Sequence, residues 1–245
     1  MTSEHRPARL RVGVVGAGRA GAVVGAAWHR VGHRVVAATA VSAPSQRRAR
    51  ALLPGVPLLP APDVVATADL AVLAVPDVEL AALVAGLAAV DAFHPGQIVV
   101  HLSPGSGIGV LEPAAASDVL PLALHPALAM TGVPSDVDRL VGAAVAVTTL
   151  RTLQALGEAL VVEIGAEPVW IEEEDRAAYA ASIGAVRDGM EAVLGAASRV
   201  LQDAGVARPA GVLAPLARSV LEGVTPRGTV SSDLPTSAAE DQEPA

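Results

Sequence analysis

The sequence contains neither cysteine nor lysine, and both absences restrict the chemistry open to it. Without cysteine, the 245 residues can form no disulfide, no thiolate nucleophile and no cysteine-ligated metal site. All 17 basic side chains are arginine. A mechanism that needs a lysine as acid, as base or as the site of a Schiff base is therefore excluded.

Aromatic residues are also scarce: they make up 2% of the chain, whereas apolar residues make up 52%. The core must therefore consist of alanine, valine and leucine, a composition that suits parallel strands buried on both faces of a sheet. The formal net charge is −8, and the sequence has no basic stripe. Because a nucleic-acid surface needs clustered cations, we expect no nucleic-acid partner.

Long uninterrupted apolar runs are missing as well. The most apolar stretch, residues 70–90, is broken by Pro76, Asp77 and Glu79 before it reaches the roughly 18 residues that a membrane helix needs. The first nine residues lack the apolar core of a signal peptide. These features predict a cytoplasmic protein without a membrane partner.

Short aliphatic runs alternate with helical patterns through the first two thirds of the chain. The strand signals fall at residues 10–15, 34–41, 56–59 (a weak one), 70–75, 97–102, 120–124, 142–149 and 167–171. Helical patterns separate several of these strands, notably before residue 31 and at residues 78–89 and 151–164. Repeated strand and helix units join parallel strands by crossovers, so we predict an α/β fold with a doubly wound Rossmann-type sheet.

The pattern changes after residue 172, where helical periodicity continues at residues 177–204 and 210–222 without a strand signal. We assign residues 1–172 to the sheet domain and residues 173–223 to a small, shortened all-helical domain. Residues 224–245 are rich in polar residues and proline, which predicts a disordered tail. Because two helices have little core of their own, we expect them to pack against a second subunit in a homodimer.

A glycine motif lies between the first predicted strand and the first helix, and its residues are Gly16, Ala17, Gly18, Arg19, Ala20 and Gly21. In this context Gly16 would allow a tight turn, Gly18 would let a pyrophosphate approach the backbone, and Gly21 would let the helix pack on the strand. The helix amino end would supply N–H groups and partial positive charge to the anion. A purely structural turn is the alternative interpretation.

The residues after the second strand favour NADP over NAD as the cofactor. An NAD site places an acidic residue there to hold the ribose 2′-hydroxyl, whereas residues 35–46 contain no acidic residue. Hydroxyl and guanidinium groups suited to a 2′-phosphate are present instead, on Ser42, Ser45 and Arg47, followed by Arg48 and Arg50. A solvated helix start with surface arginines is the alternative.

The loop after the strand at residues 70–75 would also border the cofactor. Val75 and Pro76 lie where an open parallel sheet presents its ligand-facing loops, and we expect Pro76 to shape that loop. Asp77 is expected to cap the following helix.

Two histidines each close a predicted strand on the same sheet edge. His101, with Ser103 close by, and His125 are therefore the candidate catalytic residues, because hydride transfer to a carbonyl or imine needs a proton donor. In the alternative, both histidines bond backbone carbonyls and only shape the loops. Without neighbouring carboxylates at ligand spacing, we expect no metal site. His29, His33 and His94 are expected at the surface.

With these residues in view, the chain resembles a Rossmann-like family with a DUF2520 domain, which is distantly similar to pyrroline-5-carboxylate reductases, F420-dependent NADP reductases and ketopantoate reductases. The likeness rests on the glycine motif and on residues 74–77, 101–103, 123–127, 131–132 and 165–171, and covers about residues 10–220. It implies an NADP-linked oxidoreductase whose helical domain serves dimerisation and closes the active site. Members usually carry asparagine and a bulky residue where this chain has Asp188 and Gly189.

Three functions remain open at this point. The first is an NADPH-dependent reductase of a small keto acid or cyclic imine, with ketopantoate favoured by the resemblance. The second is a non-catalytic NADP-binding sensor or assembly module, suggested by Asp188 and the short helical domain. The third keeps the enzyme but uses the deazaflavin F420 as hydride carrier.

Overall fold

The computed structural model describes residues 9–224, and these fall into two compact units. The first unit ends at Ala185 and the second begins at Val186. This boundary lies within a long helix, Arg176–Asp203. The predicted division at residue 172 stays a prediction. The predicted tail lies outside the described residues, except for Val224 at the end of the last helix.

Seven strands form one sheet in the order β2-β1-β3-β4-β5-β6-β7. Strands β1 to β5 are parallel, β6 is antiparallel to β5, and β7 is parallel to β6. The chain places β2 on one side of β1 and β3 on the other, so the strand order reverses at β1. Their bounds are β1 (Arg11–Val15), β2 (Arg34–Thr39), β3 (Leu70–Leu73), β4 (Ile98–His101), β5 (Leu120–Pro126), β6 (Ala144–Thr149) and β7 (Glu167–Trp170).

Helices connect the strands and cover both faces of the sheet, which confirms the predicted α/β, doubly wound fold. The α-helices are α1 (Arg19–Arg30), α2 (Ala43–Leu52), α3 (Ala61–Ala66), α4 (Asp77–Ala89), α5 (Ser135–Arg139), α6 (Gln154–Val162), α7 (Arg176–Asp203) and α8 (Pro209–Val224). A 3₁₀ helix at Ile108–Ser117 joins β4 to β5. None of the helices within residues 9–224 is long and apolar enough to span a bilayer.

The strands alternate their side chains between two apolar cores. In β3, Leu70 and Val72 enter the core that contains Trp28 of α1, while Ala71 and Leu73 enter the core that contains Phe93. Successive side chains of a strand point to opposite faces, so continuous aliphatic runs fill both cores. The low aromatic content is therefore compatible with a sheet whose central strands are buried on both faces.

Two sequence predictions about strands need correction. The weak strand at residues 56–59 is an isolated bridge between Leu58 and Ala38, because prolines at 54, 57 and 60 remove ladder donors and fix the backbone. The doubly wound pattern also does not continue through the last two strands, which run opposite to the others. The connection from β5 to β6 holds only the five-residue α5, too short to be a crossover helix.

His33 is buried, so its predicted surface position is wrong. The backbone N–H of Leu10 donates to its Nδ1 at 3.0 Å, and its Nε2 lies 2.8 Å from Oε1 of Glu163. Because Nδ1 accepts a hydrogen bond, Nε2 carries the proton that is donated to Glu163. The partner is 130 residues away in the sequence, which is why local spacing gave no sign of it.

Candidate functional site

The glycine motif forms the turn from β1 into α1, and its first and last glycines are required by local geometry. Gly16 has φ +95°, and a Cβ on it would lie 2.5 Å from the carbonyl oxygen of Ala74. A Cβ on Gly21 would lie 2.2 Å from the carbonyl oxygen of Gly16. A Cβ on Gly18 would meet only one atom, 4.0 Å away. Gly18 therefore leaves a bare, open backbone surface that neither turn nor packing explains.

Some backbone N–H groups at this turn are hydrogen-bonded within the protein, and others have no partner. The N–H of Ala17 donates to the carbonyl of Thr39 at 2.7 Å, and that of Gly18 to Gly16, so these two are used. Within residues 9–224, the N–H groups of Arg19, Ala20 and Gly21 have no hydrogen-bond partner. The first turn of α1 holds no acidic residue and no side-chain cap. This end of α1 is open to an anion.

Val75 and Pro76 lie directly beside the turn. The N–H of Ala74 donates to the carbonyl of Val15 at 2.8 Å, which ties the end of β3 to the end of β1. Pro76 is exposed and occupies the capping position of α4. Asp77 is the first helical residue and makes no capping hydrogen bond, so its predicted capping role is wrong.

Ser42 and Ser45 form the start of α2. Ser42 is its N-cap residue, since its Oγ accepts the N–H of Ser45 at 3.2 Å. The Ser45 hydroxyl donates to the carbonyl of Ser42 at 2.8 Å, and the two hydroxyls are 3.0 Å apart. Both side chains therefore organise the helix start in this structure, and their predicted contact with a cofactor stays a prediction.

Three arginines near this turn have no counter-ion. Within residues 9–224, the side chains of Arg19, Arg47 and Arg48 make no hydrogen bond and no ion pair. A Cβ on Gly132 would lie 2.6 Å from Cδ of Arg48 and 3.2 Å from Cα of Arg19. The loop after β5 thus packs between α1 and α2. A groove of about 230 Å³ lies here, lined by Pro44, Arg47, Arg48, Ala51, Gly132, Val133 and Pro134.

Asp136 fixes the conformation of that loop. Its buried Oδ2 accepts the N–H groups of Thr131 and Gly132 at 2.7 and 2.8 Å, and its Oδ1 accepts from Arg139 at 2.8 Å. Burial alone would raise the pKa of Asp136, but the hydrogen bonds from Gly132, Thr131 and Arg139 outweigh it and lower the pKa to about 2. The carboxylate therefore holds Gly132 against Arg48.

His101 and Ser103 are buried at the end of β4 and bond the loop that follows. The N–H of Ser103 donates to Nδ1 of His101 at 3.2 Å, so Nε2 carries the proton and donates to the carbonyl of Gly107 at 2.9 Å. Ser103 Oγ accepts the N–H of Ser106 at 3.2 Å. Burial, with a smaller contribution from the positive charge of Arg176, lowers the pKa of His101 to about 4. This arrangement favours the loop-shaping alternative for His101, and the catalytic role predicted for Ser103 stays a prediction.

His125 lies at the end of β5 in a different setting. It is half-buried, and its Nδ1 lies 2.9 Å from the hydroxyl of Tyr179 on α7, with the two rings edge-to-face at 5.6 Å. No residue within the described part of the chain bonds its Nε2. Burial and the charge of Arg176 lower the pKa of His125 to about 4, so the ring is neutral at pH 7.

Arg176, at the start of α7, binds strands β5 and β6. Its Nε donates to Oγ1 of Thr148 at 2.7 Å, and its Nη2 donates to the carbonyls of Ala123 and Ala146 at 2.8 and 3.2 Å. Its Cζ is 6.0 Å from the centre of the Tyr179 ring. Burial lowers the pKa of Arg176, against opposing effects of Tyr179 and Glu173.

Sequence reasoning missed both Arg176 and Tyr179. The available signals were weak: Tyr179 is the only tyrosine, and Arg176 is the only basic side chain between Arg151 and Arg187. Their contacts come from strands 28 to 54 residues earlier, which no local pattern reveals. Asp188, in the second unit, is exposed and pairs with Arg187 at 2.9 Å.

The described residues contain no cluster of three or more histidine, aspartate or glutamate side chains that could hold a metal ion.

The model of the Rossmann-like domain matches residues 1–126. The chain belongs to this Rossmann-like family. The domain of unknown function DUF2520 matches residues 143–232. The family assignment agrees with the sequence resemblance, while a comparison with curated protein sequences gives no match.

Solved structures share the fold of this Rossmann-like protein at low sequence identity. A "putative NADP oxidoreductase" from Bacteroides fragilis has a TM-score of 0.73 at 16% identity, covering 88% of this chain and 80% of its own. Pyrroline-5-carboxylate reductase from Streptococcus pyogenes has a TM-score of 0.65 at 16% identity, covering 92% and 82%. The corresponding enzyme from Coxiella burnetii has a TM-score of 0.60 at 16% identity, covering 88% and 81%. These likenesses establish a common fold.

Proposed function

We propose that this Rossmann-like protein is an NADP(H)-dependent oxidoreductase that reduces a small keto acid or cyclic imine, with ketopantoate as the first substrate to test. The observation that carries the proposal is the bare backbone at Gly18, beside the unbonded N–H groups of Arg19, Ala20 and Gly21. A dinucleotide pyrophosphate matches this surface because it is an anion that must approach the backbone closely. The named oxidoreductases among the structural neighbours support the same class.

The preference for NADP rests on the charges around the end of β2. No acidic residue is present at residues 35–46 to hold a ribose 2′-hydroxyl. Arg47 and Arg48 instead line one groove and lack counter-ions within the described chain. Guanidinium groups bind phosphate oxygens through charge-assisted hydrogen bonds, so the 2′-phosphate of NADP is the expected occupant.

Bound NADPH would supply the hydride, and His125 is the proposed proton donor. If the Tyr179 hydroxyl donates to Nδ1 of His125, the neutral ring carries its proton on Nε2, the nitrogen without a partner. Nε2 then donates that proton to the substrate oxygen or nitrogen as negative charge develops there. As Nε2 loses its proton, the Tyr179 hydroxyl transfers its own proton to Nδ1, so the ring stays neutral. The Tyr179 phenolate that results takes a proton from water and completes the cycle. His101 and Ser103 hold the neighbouring loop in this scheme.

The test is NADPH oxidation with a panel of 2-keto acids, including ketopantoate, and cyclic imines. We expect turnover by the wild-type protein, and a loss of about 10²- to 10⁴-fold in His125→Gln, the range for one general acid. NADPH affinity should stay unchanged in that variant. His29→Gln is the matched control, because His29 is exposed on α1 and should retain full activity.

Absence of turnover with every compound of the panel would overturn the enzyme proposal. Tight NADPH binding without turnover would favour the second candidate, a non-catalytic NADP-binding sensor or assembly module. The complete engagement of both His101 nitrogens supports this candidate, because it removes one of the predicted catalytic groups. Activity only with reduced F420 would assign the deazaflavin as hydride carrier.

A further inference from the structure

Arg176 is a buried cation with an unused donor. The residue is 1% exposed, and its Nη1 is buried without a hydrogen-bond partner. Its Nε and Nη2 use only neutral acceptors, the Thr148 hydroxyl and two strand carbonyls. A charge buried without a counter-ion and a buried donor without an acceptor both destabilise the folded protein. An occupant that supplies a negative charge would remove both costs.

No carboxylate of the described residues forms an ion pair with Arg176. The nearest acidic influence is Glu173, and its two oxygens accept the N–H groups of Ile108 and Gly109 at 2.7 and 3.0 Å. His101 and His125 are neutral at pH 7, so they add no second positive charge beside Arg176. The positive charge of Arg176 is therefore not balanced by an ion pair with any described residue, and a bound anion could balance it.

The cofactor phosphates do not meet this requirement. The glycine turn follows β1, whereas Arg176 bonds β5 and β6. Strands β1 and β5 are three steps apart in the sheet, which corresponds to about 14 Å. An anion at Arg176 must therefore belong to a different molecule.

We propose that Nη1 of Arg176 binds the carboxylate of a small substrate, next to Tyr179 and His125. Nε and Nη2 of the guanidinium donate to the strands, so Nη1 is the one buried donor that is left for a ligand among the described contacts. Tyr179 contacts both Arg176 and His125, which joins the carboxylate site to the proton donor. This inference rests on the proposed function and narrows its substrate to a 2-keto acid or imino acid.

The test compares charged and uncharged ligands of the same shape. 2-Oxoisovalerate and its primary amide are titrated into the NADPH-loaded wild-type protein and into Arg176→Gln, with affinity measured by calorimetry. We expect the acid to bind the wild type more tightly than the amide, and the variant to lose about 10- to 100-fold affinity for the acid, as for a charge-assisted hydrogen bond. The variant's affinity for the amide should change by less than about twofold. Arg151→Gln, an exposed arginine, is the matched control and should bind both ligands like the wild type.

A second measurement avoids dependence on the folding of Arg176→Gln. The wild-type protein is labelled with ¹⁵N-arginine. The acid should shift the guanidinium resonance of the buried Arg176 and slow the exchange of its hydrogens with water, and the amide should do neither. Equal binding of acid and amide, or an unshifted resonance at saturating acid, would show that Arg176 only ties β5 to β6. The acid is also titrated into the protein without NADPH. If NADPH does not bind but the acid still shifts the Arg176 resonance, the proposed function is contradicted and the carboxylate site is not.

Discussion

Gly18 and Gly21 belong to one turn, but a methyl group added to each would meet different surroundings. At Gly18 it would enter open space, whereas at Gly21 it would lie 2.2 Å from the carbonyl oxygen of Gly16. We expect Gly18→Ala to keep or raise the free energy of unfolding by up to about 1 kcal/mol and to weaken NADPH binding strongly. Gly21→Ala should lower the free energy of unfolding by about 1–3 kcal/mol. Urea unfolding and NADPH titration measure the two effects.

The two variants control for each other, since both add one methyl group to the same loop. If Gly18→Ala bound NADPH as tightly as the wild type, the pyrophosphate would not approach this backbone. Destabilisation of Gly18→Ala as large as that of Gly21→Ala would show that the position is not open.

Asp136 makes the free energy of unfolding depend on pH, so that the protein is less stable at low pH. Its pKa is about 2 in the folded protein, below the ordinary value of 3.8. The stabilisation is therefore fully present above pH 3.8 and is lost as the pH falls towards 2. We expect Asp136→Asn to lower the free energy of unfolding by about 2 kcal/mol at pH 7. Urea unfolding at a series of pH values measures this.

In that series the wild type should lose stability between pH 4 and pH 2 more steeply than the asparagine variant. Parallel curves for the two proteins would mean that this carboxylate does not titrate as described. A weakened NADPH affinity at pH 7 is a further expected effect, because the loop that holds Gly132 against Arg48 loses its anchor.

The sequence predicts single residues well only where their role is local. The glycine turn is of this kind, because strand, turn and helix follow each other within residues 11–30. His33 and Arg176 are the opposite case: their partners lie 130 residues away for His33 and 28 to 53 residues away for Arg176. His125 was predicted from its position at a strand end, but Tyr179, which orients it, was not.

At the scale of elements, α2 presents a cationic face to a groove. Arg47 and Arg48 line this groove, while Arg50 does not. We expect Arg47→Ala combined with Arg48→Ala to weaken NADPH binding by about 10- to 100-fold, because charge-assisted contacts to the 2′-phosphate are lost. NADH binding should change much less. Fluorescence titrations with both nucleotides check this prediction.

Arg50→Ala is the control on the same helix and should leave both affinities unchanged. The effect of the double substitution should also shrink at high salt, since exposed charges are screened. An equal loss of affinity for NADPH and NADH in the double variant would show that these arginines do not contact the 2′-phosphate.

Element types and their order could largely be predicted from periodicity, but strand direction could not. Aliphatic runs of four to seven residues became β1 to β7, each close to its predicted position. The antiparallel pairing of β6 depends on the length of the connection and on what it packs against, which the run itself does not encode. Proline at 54, 57 and 60 was the available sign against a strand at residues 56–59.

At the scale of the whole molecule, we propose a homodimer formed through the helices of the second unit. Val186, Val193 and Val200 are exposed and recur every seven residues, so they share one face of α7. Val212, Leu216 and Val220 are exposed on α8. Burial of such faces against a second copy would stabilise both helices.

We expect the wild-type protein to sediment as a dimer at micromolar concentration and Val193→Glu to sediment as a monomer, because a carboxylate in an apolar interface is costly. Val162 is an exposed valine on α6, and Val162→Glu should remain dimeric. A monomeric wild type, or a dimer that is unaffected by Val193→Glu, would contradict this interface.

The proposed NADP site is tested most directly by the ratio of NADPH to NADH affinity in the unmodified protein, measured by equilibrium titration at physiological salt. We expect NADPH to bind at least about 10-fold more tightly, since the 2′-phosphate gains contacts with free guanidinium groups. Equal affinities, tighter binding of NADH or no binding of either nucleotide would contradict it.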